Sequence, residues 1–182
     1  MLDQENRWVP AKAPLHFDKP SIAGVGLGLD FAIAVAEANP EWTIGLIPCA
    51  VGGTPLAQWM PDGDLYRKAL TRAREAQQAG TIRGILWHQG ESDAATKELA
   101  ESYAKRLSKM IPQLRKDLGT PNALFIAGQL GHFLPDQDSK GMPSHWRIIN
   151  EQIQSLPKHV EKVAIVDSTG LKHKGDKIHF DS

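Results

Sequence analysis

A single cysteine, Cys49, stands among 182 residues, so no intramolecular disulfide can form. Charge of one sign is also missing, because 21 lysines and arginines balance 21 aspartates and glutamates. With no basic block along the chain, neither a nucleic-acid partner nor an anionic membrane surface finds electrostatic support. Apolar runs end after a few residues, far short of the roughly 20 that a spanning helix needs. Leu2, Asp3, Gln4 and Glu5 follow Met1, and they form neither the basic nor the apolar region of a secretory leader. A full G-x-G-x-x-G loop is lacking. Gly24, Gly26 and Gly28 come after a proline-rich stretch rather than a strand, and read as punctuation between loop and helix. The seven histidines include no H-x-x-x-H pair, and one cysteine allows no C-x-x-C. No metal and no cofactor is therefore expected.

What is present suits a globular domain. Hydrophobic residues make up 41% of the chain and charged residues 23%. A single domain of this length buries about 70% of its unfolded surface. Residues 29–38 are alanine-rich and apolar and read as a buried helix that Asn39-Pro40 ends. Helical periodicity recurs over 65–79, over 99–118 and from Trp146 to Leu156. Pro112 lies inside the second of these and predicts a kink. Four short apolar runs read as strands, at 43–48, 82–87, 123–127 and 163–166. Helices alternating with apolar strands make the fold class α/β, with a parallel sheet covered on both faces. Ligand sites in such sheets lie beyond the carboxyl ends of the strands, so function is sought in the loops after residues 48, 87, 128 and 166.

Three of those loops carry candidate chemistry. Gly52-Gly53, after Cys49-Ala50-Val51, is either a tight turn or a cradle whose backbone N–H groups meet an oxyanion or phosphate. Trp87-His88-Gln89-Gly90-Glu91-Ser92-Asp93 crowds polar groups at a strand end. Gln89 has an amide suited to a developing oxyanion, Glu91 can orient a neighbour, His88 is either a base or structural, and Ser92 and Asp93 can cap the next helix. Asp176 and His179 are three apart, a spacing that puts both on one side of a helical turn, where a carboxylate can fix the imidazole tautomer. Cys49 has no activating cation beside it in sequence and reads as buried and inert.

Taken in order, His16-Phe17-Asp18-Lys19-Pro20, Gly24-Val25-Gly26, Ile47 through Thr54, Trp87 through Asp93 and Asp176-x-x-His179-Phe180-Asp181-Ser182 resemble the sialate O-acetylesterase-like family. That family belongs to the SGNH hydrolases and is related to carbohydrate esterase family six. The resemblance runs from about residue 7 to the last residue. It implies a three-layer α/β/α sandwich with a flavodoxin-like sheet, and hydrolysis of acetyl esters on sugars by a serine nucleophile. It further implies His179 as general base and Asp176 as its orienter. Gln89 and a backbone N–H of Gly52 or Gly53 would form the oxyanion hole, with Gly90 and Glu91 in support. Loops at Trp59-Met60-Pro61 and His132-Phe133-Leu134 are expected to face the substrate, an acetylated carbohydrate.

One departure outweighs the matches. The family's nucleophile lies in a G-Q-S-N-type segment upstream of H-F-D-K-P, and no serine here has a Gly-Gln-Ser or Gly-Asp-Ser context. The expectation is therefore a single domain over 1–182 lacking the family's first strand, its nucleophile and its closing helix. In a 2-1-3-4-5 sheet that strand would lie between 43–48 and 82–87. Two alternatives stand beside the esterase: an inactive carbohydrate-binding or interaction domain of the same fold, and a metal-dependent hydrolase.

Overall fold

The computed structural model describes residues 1–21, 24 and 26–181. Two compact units divide it, Met1–Gly52 with Arg67–Ile82, and Gly53–Tyr66 with Arg83–Ser182.

The larger unit is built on three parallel strands, β1 (Gly84–Trp87), β2 (Leu124–Gly128) and β3 (Val163–Val166), paired in the order β1-β2-β3. Gly84 pairs with Leu124 and Phe125 with Val163. Three helices connect these strands: α3 (Lys97–Glu101) and α4 (Tyr103–Asp117) ahead of β2, then α5 (Trp146–Ser155) ahead of β3. Each strand is an uninterrupted apolar run, as a parallel strand buried by helices allows. The core between α4, β2 and α5 consists of Tyr103, Leu107, Met110, Ile111, Phe125, Leu130, Ile149, Ile153 and Leu156, all buried. The parallel sheet with its helices bears out the α/β class.

α4 shows how the chain turns back to the sheet. Its end is a Schellman motif: Thr120 N–H donates to Arg115 O at 2.8 Å and Gly119 N–H to Lys116 O at 3.0 Å, with Gly119 at φ +65°. Buried Arg115 then holds the start of two strands. Its guanidinium donates to the carbonyls of Ala123 (2.9 Å), Glu161 (2.9 Å) and Lys162 (2.7 Å). Pro112 sits within α4 without interrupting it, and the break in the 99–118 periodicity falls instead at Ser102, between α3 and α4. There the serine hydroxyl donates to Glu98 O at 2.8 Å, competing with the backbone ladder.

In the smaller unit, α1 spans Leu27–Ala38. The expected burial of this helix is not observed: Ala32 is buried, while Leu27, Phe31 and Ile33 are exposed. The expected strand at 43–48 is also absent. The segment is irregular, and Leu46 O accepts a single hydrogen bond of 2.8 Å from Leu2 N–H. An apolar run becomes a strand only when another strand pairs with it, and Pro48 has no N–H to offer. Arg72 of α2 (Asp64–Ala76) organises this unit. It donates to Pro48 O (3.2 Å), Leu2 O (3.1 Å), Asp3 O (3.0 Å) and Asn6 Oδ1 (2.8 Å), and lies 5.0 Å over the Phe17 ring.

Candidate active site

The loop after β3 carries Asp176 and His179. Antiparallel pairing of His173 with Phe180 closes it, with Lys174 N–H donating to His179 O and Asp181 N–H to Lys172 O, each at 3.0 Å. Within it Asp176 Oδ1 accepts the N–H groups of Ile178 (2.9 Å) and His179 (2.8 Å). Asp176 Oδ2 lies 2.7 Å from His179 Nδ1. The pair forms across a tight turn, with Lys177 at φ +60°, rather than along a helical turn as the three-residue spacing suggests. Hydrogen bonds from the His179 backbone, the His179 ring and the Ile178 backbone hold the Asp176 carboxyl far below the usual carboxylate range. An ionised carboxylate only accepts, so the proton of a neutral His179 sits on Nδ1 and its Nε2 lone pair is left for a reacting group. The His179 side chain is 65% exposed and, among the described residues, Nε2 has no partner.

The Q-G-E turn after β1 is stiff. Gly90 has φ +153°, and a Cβ there would come within 2.6 Å of Ile149 Cγ2, so both backbone and space require glycine. Gln89 Nε2 donates to Thr54 O at 3.0 Å and to Asp93 Oδ2 at 2.7 Å. Both of its amide hydrogens are thereby engaged within the protein. The Tyr103 hydroxyl lies 2.8 Å from both Gln89 O and Gln89 Oε1, and takes a 3.0 Å bond from Trp87 Nε1. Burial pushes the Tyr103 phenol well up, so it remains a donor. Asp93 is fully buried. It also accepts from Leu56 N–H and pairs with Arg106, each at 2.7 Å. In the sequence Asp93 reads as a cap, yet it is the anchor of this network. A fully buried carboxylate four residues from Gln89 leaves no periodic signal in the sequence.

His88 and Glu91 flank the turn, with Nε2 and Oε1 3.8 Å apart. The His88 ring meets Phe180 edge-on at 5.5 Å, which brings the turn after β1 to the loop that bears His179. Phe133 is edge-on to Phe180 at 5.1 Å, so the 132–134 loop joins them. Trp59 lies edge-on to Trp87 at 5.7 Å.

Within the smaller unit, Gly52 N–H donates to Asp18 Oδ2 and Gly52 O accepts from Lys19 Nζ, each at 2.8 Å. The Asp-Lys pair of H-F-D-K-P thus fastens the glycine turn, a role that no spacing in the sequence assigns to it. Gly53, at φ +75°, has a backbone N–H that meets no acceptor among the described residues. Cys49 is half-buried, and burial pushes its thiol up. Val25 and Ser182, which belong to two of the quoted motifs, lie outside the described residues. Among the described residues no group of three or more His, Cys, Asp or Glu could hold a metal ion, and no helix is long and apolar enough to cross a membrane.

Residues 1–182 match the family described as carbohydrate esterase, sialic acid-specific acetylesterase. The chain belongs to this family. It is 33% identical over 188 residues to a probable carbohydrate esterase of Arabidopsis thaliana, covering 98% of this chain. The chain spans 66% of that curated relative's length. A solved structure of an Arabidopsis thaliana protein, 33% identical, superposes with a TM-score of 0.85 over 98% of this chain and 71% of its own. A carbohydrate acetylesterase from Xanthomonas citri superposes with a TM-score of 0.66 at 20% identity, covering 88% of this chain and 38% of that one. That likeness speaks for the fold alone.

Proposed function

We propose that this carbohydrate esterase family member works in the removal of O-acetyl groups from a carbohydrate, with His179 as general base. The pairing of Asp176 with His179 at 2.7 Å carries the reading. In this reaction a serine hydroxyl attacks the acetyl carbonyl while His179 Nε2 takes its proton, and Asp176 stabilises the imidazolium. The proton then passes to the departing sugar hydroxyl, and water hydrolyses the acetyl-enzyme by the same route.

The nucleophile in this proposal is a serine outside the 182 residues. Among the described residues no serine hydroxyl bonds His179, and those of Ser102, Ser108, Ser155 and Ser168 donate to backbone carbonyls. For the oxyanion, Gly53 N–H is the donor of choice, since Gly52 N–H is held by Asp18. Gln89 serves mainly to hold Thr54 and Asp93 in place, and it can reach an oxyanion only by releasing one of those bonds. Glu91 steadies His88 beside it.

The test compares the 182-residue chain with one extended at its N-terminus by a strand and a G-Q-S-N-type segment, on p-nitrophenyl acetate and an acetylated sugar. Turnover is expected in the longer chain and lost in its His179→Ala variant. Equal turnover in that variant would remove His179 from the mechanism. Turnover by the 182 residues alone would place the nucleophile inside them.

A further inference from the structure

We propose that His173 is a positioning residue for the Asp176–His179 pair, its imidazole serving as the acceptor that folds the turn between them. The catalytic consequence rests on the esterase reading above, but the positioning itself does not.

His173 Nδ1 accepts the backbone N–H of Gly175 at 2.9 Å and of Lys177 at 3.3 Å. These are the residues on either side of Asp176. Both lie in the left-handed region, Gly175 at φ +115° and Lys177 at φ +60°. For Lys177 that conformation is unfavourable and persists only where partners fix it. Accepting two N–H groups requires an unprotonated Nδ1, which puts the proton of a neutral His173 on Nε2. Asn and Asp commonly fold turns by accepting from the N–H two residues on, and His173 does the same with a ring nitrogen.

The ring is itself held in place. It meets Phe133 edge-on at 5.4 Å, and Phe133 in turn meets Phe180 at 5.1 Å. The backbone of His173 is also paired with Phe180, the neighbour of His179. His173 therefore stands at the bridge that closes the loop, flanked by the bonds of Lys174 and Lys172, and its ring accepts under the turn. Asp176 can accept from Ile178 and His179 only while that turn persists.

The experiment is NMR on the 182-residue chain, reading the histidine ring nitrogens and the Asp176 carboxyl carbon. Wild-type His173 is expected as the Nε2–H tautomer at neutral pH, with Asp176 titrating below the ordinary carboxylate range. His173→Phe keeps a ring against Phe133 and removes the acceptor. In it the Asp176 midpoint should rise toward the ordinary range, and the Gly175 and Lys177 amides should exchange about tenfold faster. His173→Asn offers Oδ1 near the place of Nδ1 and should restore most of both. An Nδ1–H tautomer in the wild type, an unmoved Asp176 midpoint in the Phe variant, or an Asn variant no better than Phe would overturn the proposal. If the Phe variant does not fold, the wild-type tautomer and the Asn variant decide.

In a chain that turns over ester, His173→Phe should lower kcat by about 10- to 100-fold with KM nearly unchanged, and Asn should recover most of it. Should His179→Ala hydrolyse as well as wild type, the esterase reading fails while the NMR result stands, so the two failures are separable.

Discussion

Gln89 Nε2 donates to Asp93 Oδ2 at 2.7 Å, and that carboxylate is fully buried. The same oxygen accepts from Leu56 N–H, while Oδ1 pairs with Arg106, each at 2.7 Å. One charge thus ties the turn after β1 to the segment after Gly53 and to α4. A buried carboxylate is tolerated only with such partners. Asp93→Ala strands the Arg106 guanidinium and frees the Gln89 amide, and should lower stability by about 3–5 kcal/mol in urea unfolding. Asp93→Asn, which keeps an acceptor but not the charge, should lose less.

Gly90 offers a second stability test. Gly90→Ala must place a side chain at φ +153° and 2.6 Å from Ile149 Cγ2. Backbone strain of about 1–3 kcal/mol adds to an overpacking cost of similar size. Thermal unfolding of the variant should show a clear drop in Tm. An unchanged Tm would mean that the turn rearranges freely.

Much of this was legible in the sequence, and the exceptions share a cause. The runs at 82–87, 123–127 and 163–166 became β1, β2 and β3, each around at least three consecutive apolar residues with glycine or polar residues at its ends. The helices around Leu107, Ile111 and Ile149 followed their periodicity into the core. The run at 43–48 looks the same locally but forms no strand, because pairing is a property of two segments and not of one. The helix break fell at Ser102 rather than at Pro112 for a reason invisible to spacing, a hydroxyl bonded back to the preceding turn. At the candidate site, spacing and place single out Asp176 and His179. The clamps on Gly52 by Asp18 and Lys19, and on Gln89 by Asp93, depend on which hydrogen is already taken, and no pattern of letters records that.

Asp176 should set no acid limb in an activity profile. Its folded carboxyl is depressed below the unfolded value of about 4, so its contribution to loop order is fully present above that pH. The contribution is lost only as pH falls through the lower, folded value. A carboxyl-carbon titration should find no change in Asp176 between pH 5 and 8.

Replacing that carboxylate isolates its role in turnover. Asp176→Asn keeps an acceptor for the Ile178 and His179 amides but no longer favours the Nδ1–H tautomer of His179. In an active chain kcat should fall by about 10²- to 10⁴-fold with KM little changed. Circular dichroism should remain that of the parent.

Cys49 makes a negative control. Burial raises its thiol and keeps it protonated, so native alkylation by iodoacetamide should be much slower than in urea.

The strands β1, β2 and β3 are neighbours in the same order as they occur in the chain. Each new strand is laid on the outer edge of the one before, and none has to be inserted between two already paired. This sheet can therefore be assembled as the chain leaves the ribosome, one strand and its helices at a time. The loop after β3 is placed only once the three strands are made. A nascent chain halted before residue 163 would carry the Q-G-E turn without Asp176 or His179, so their pairing can form only after all three strands have been made.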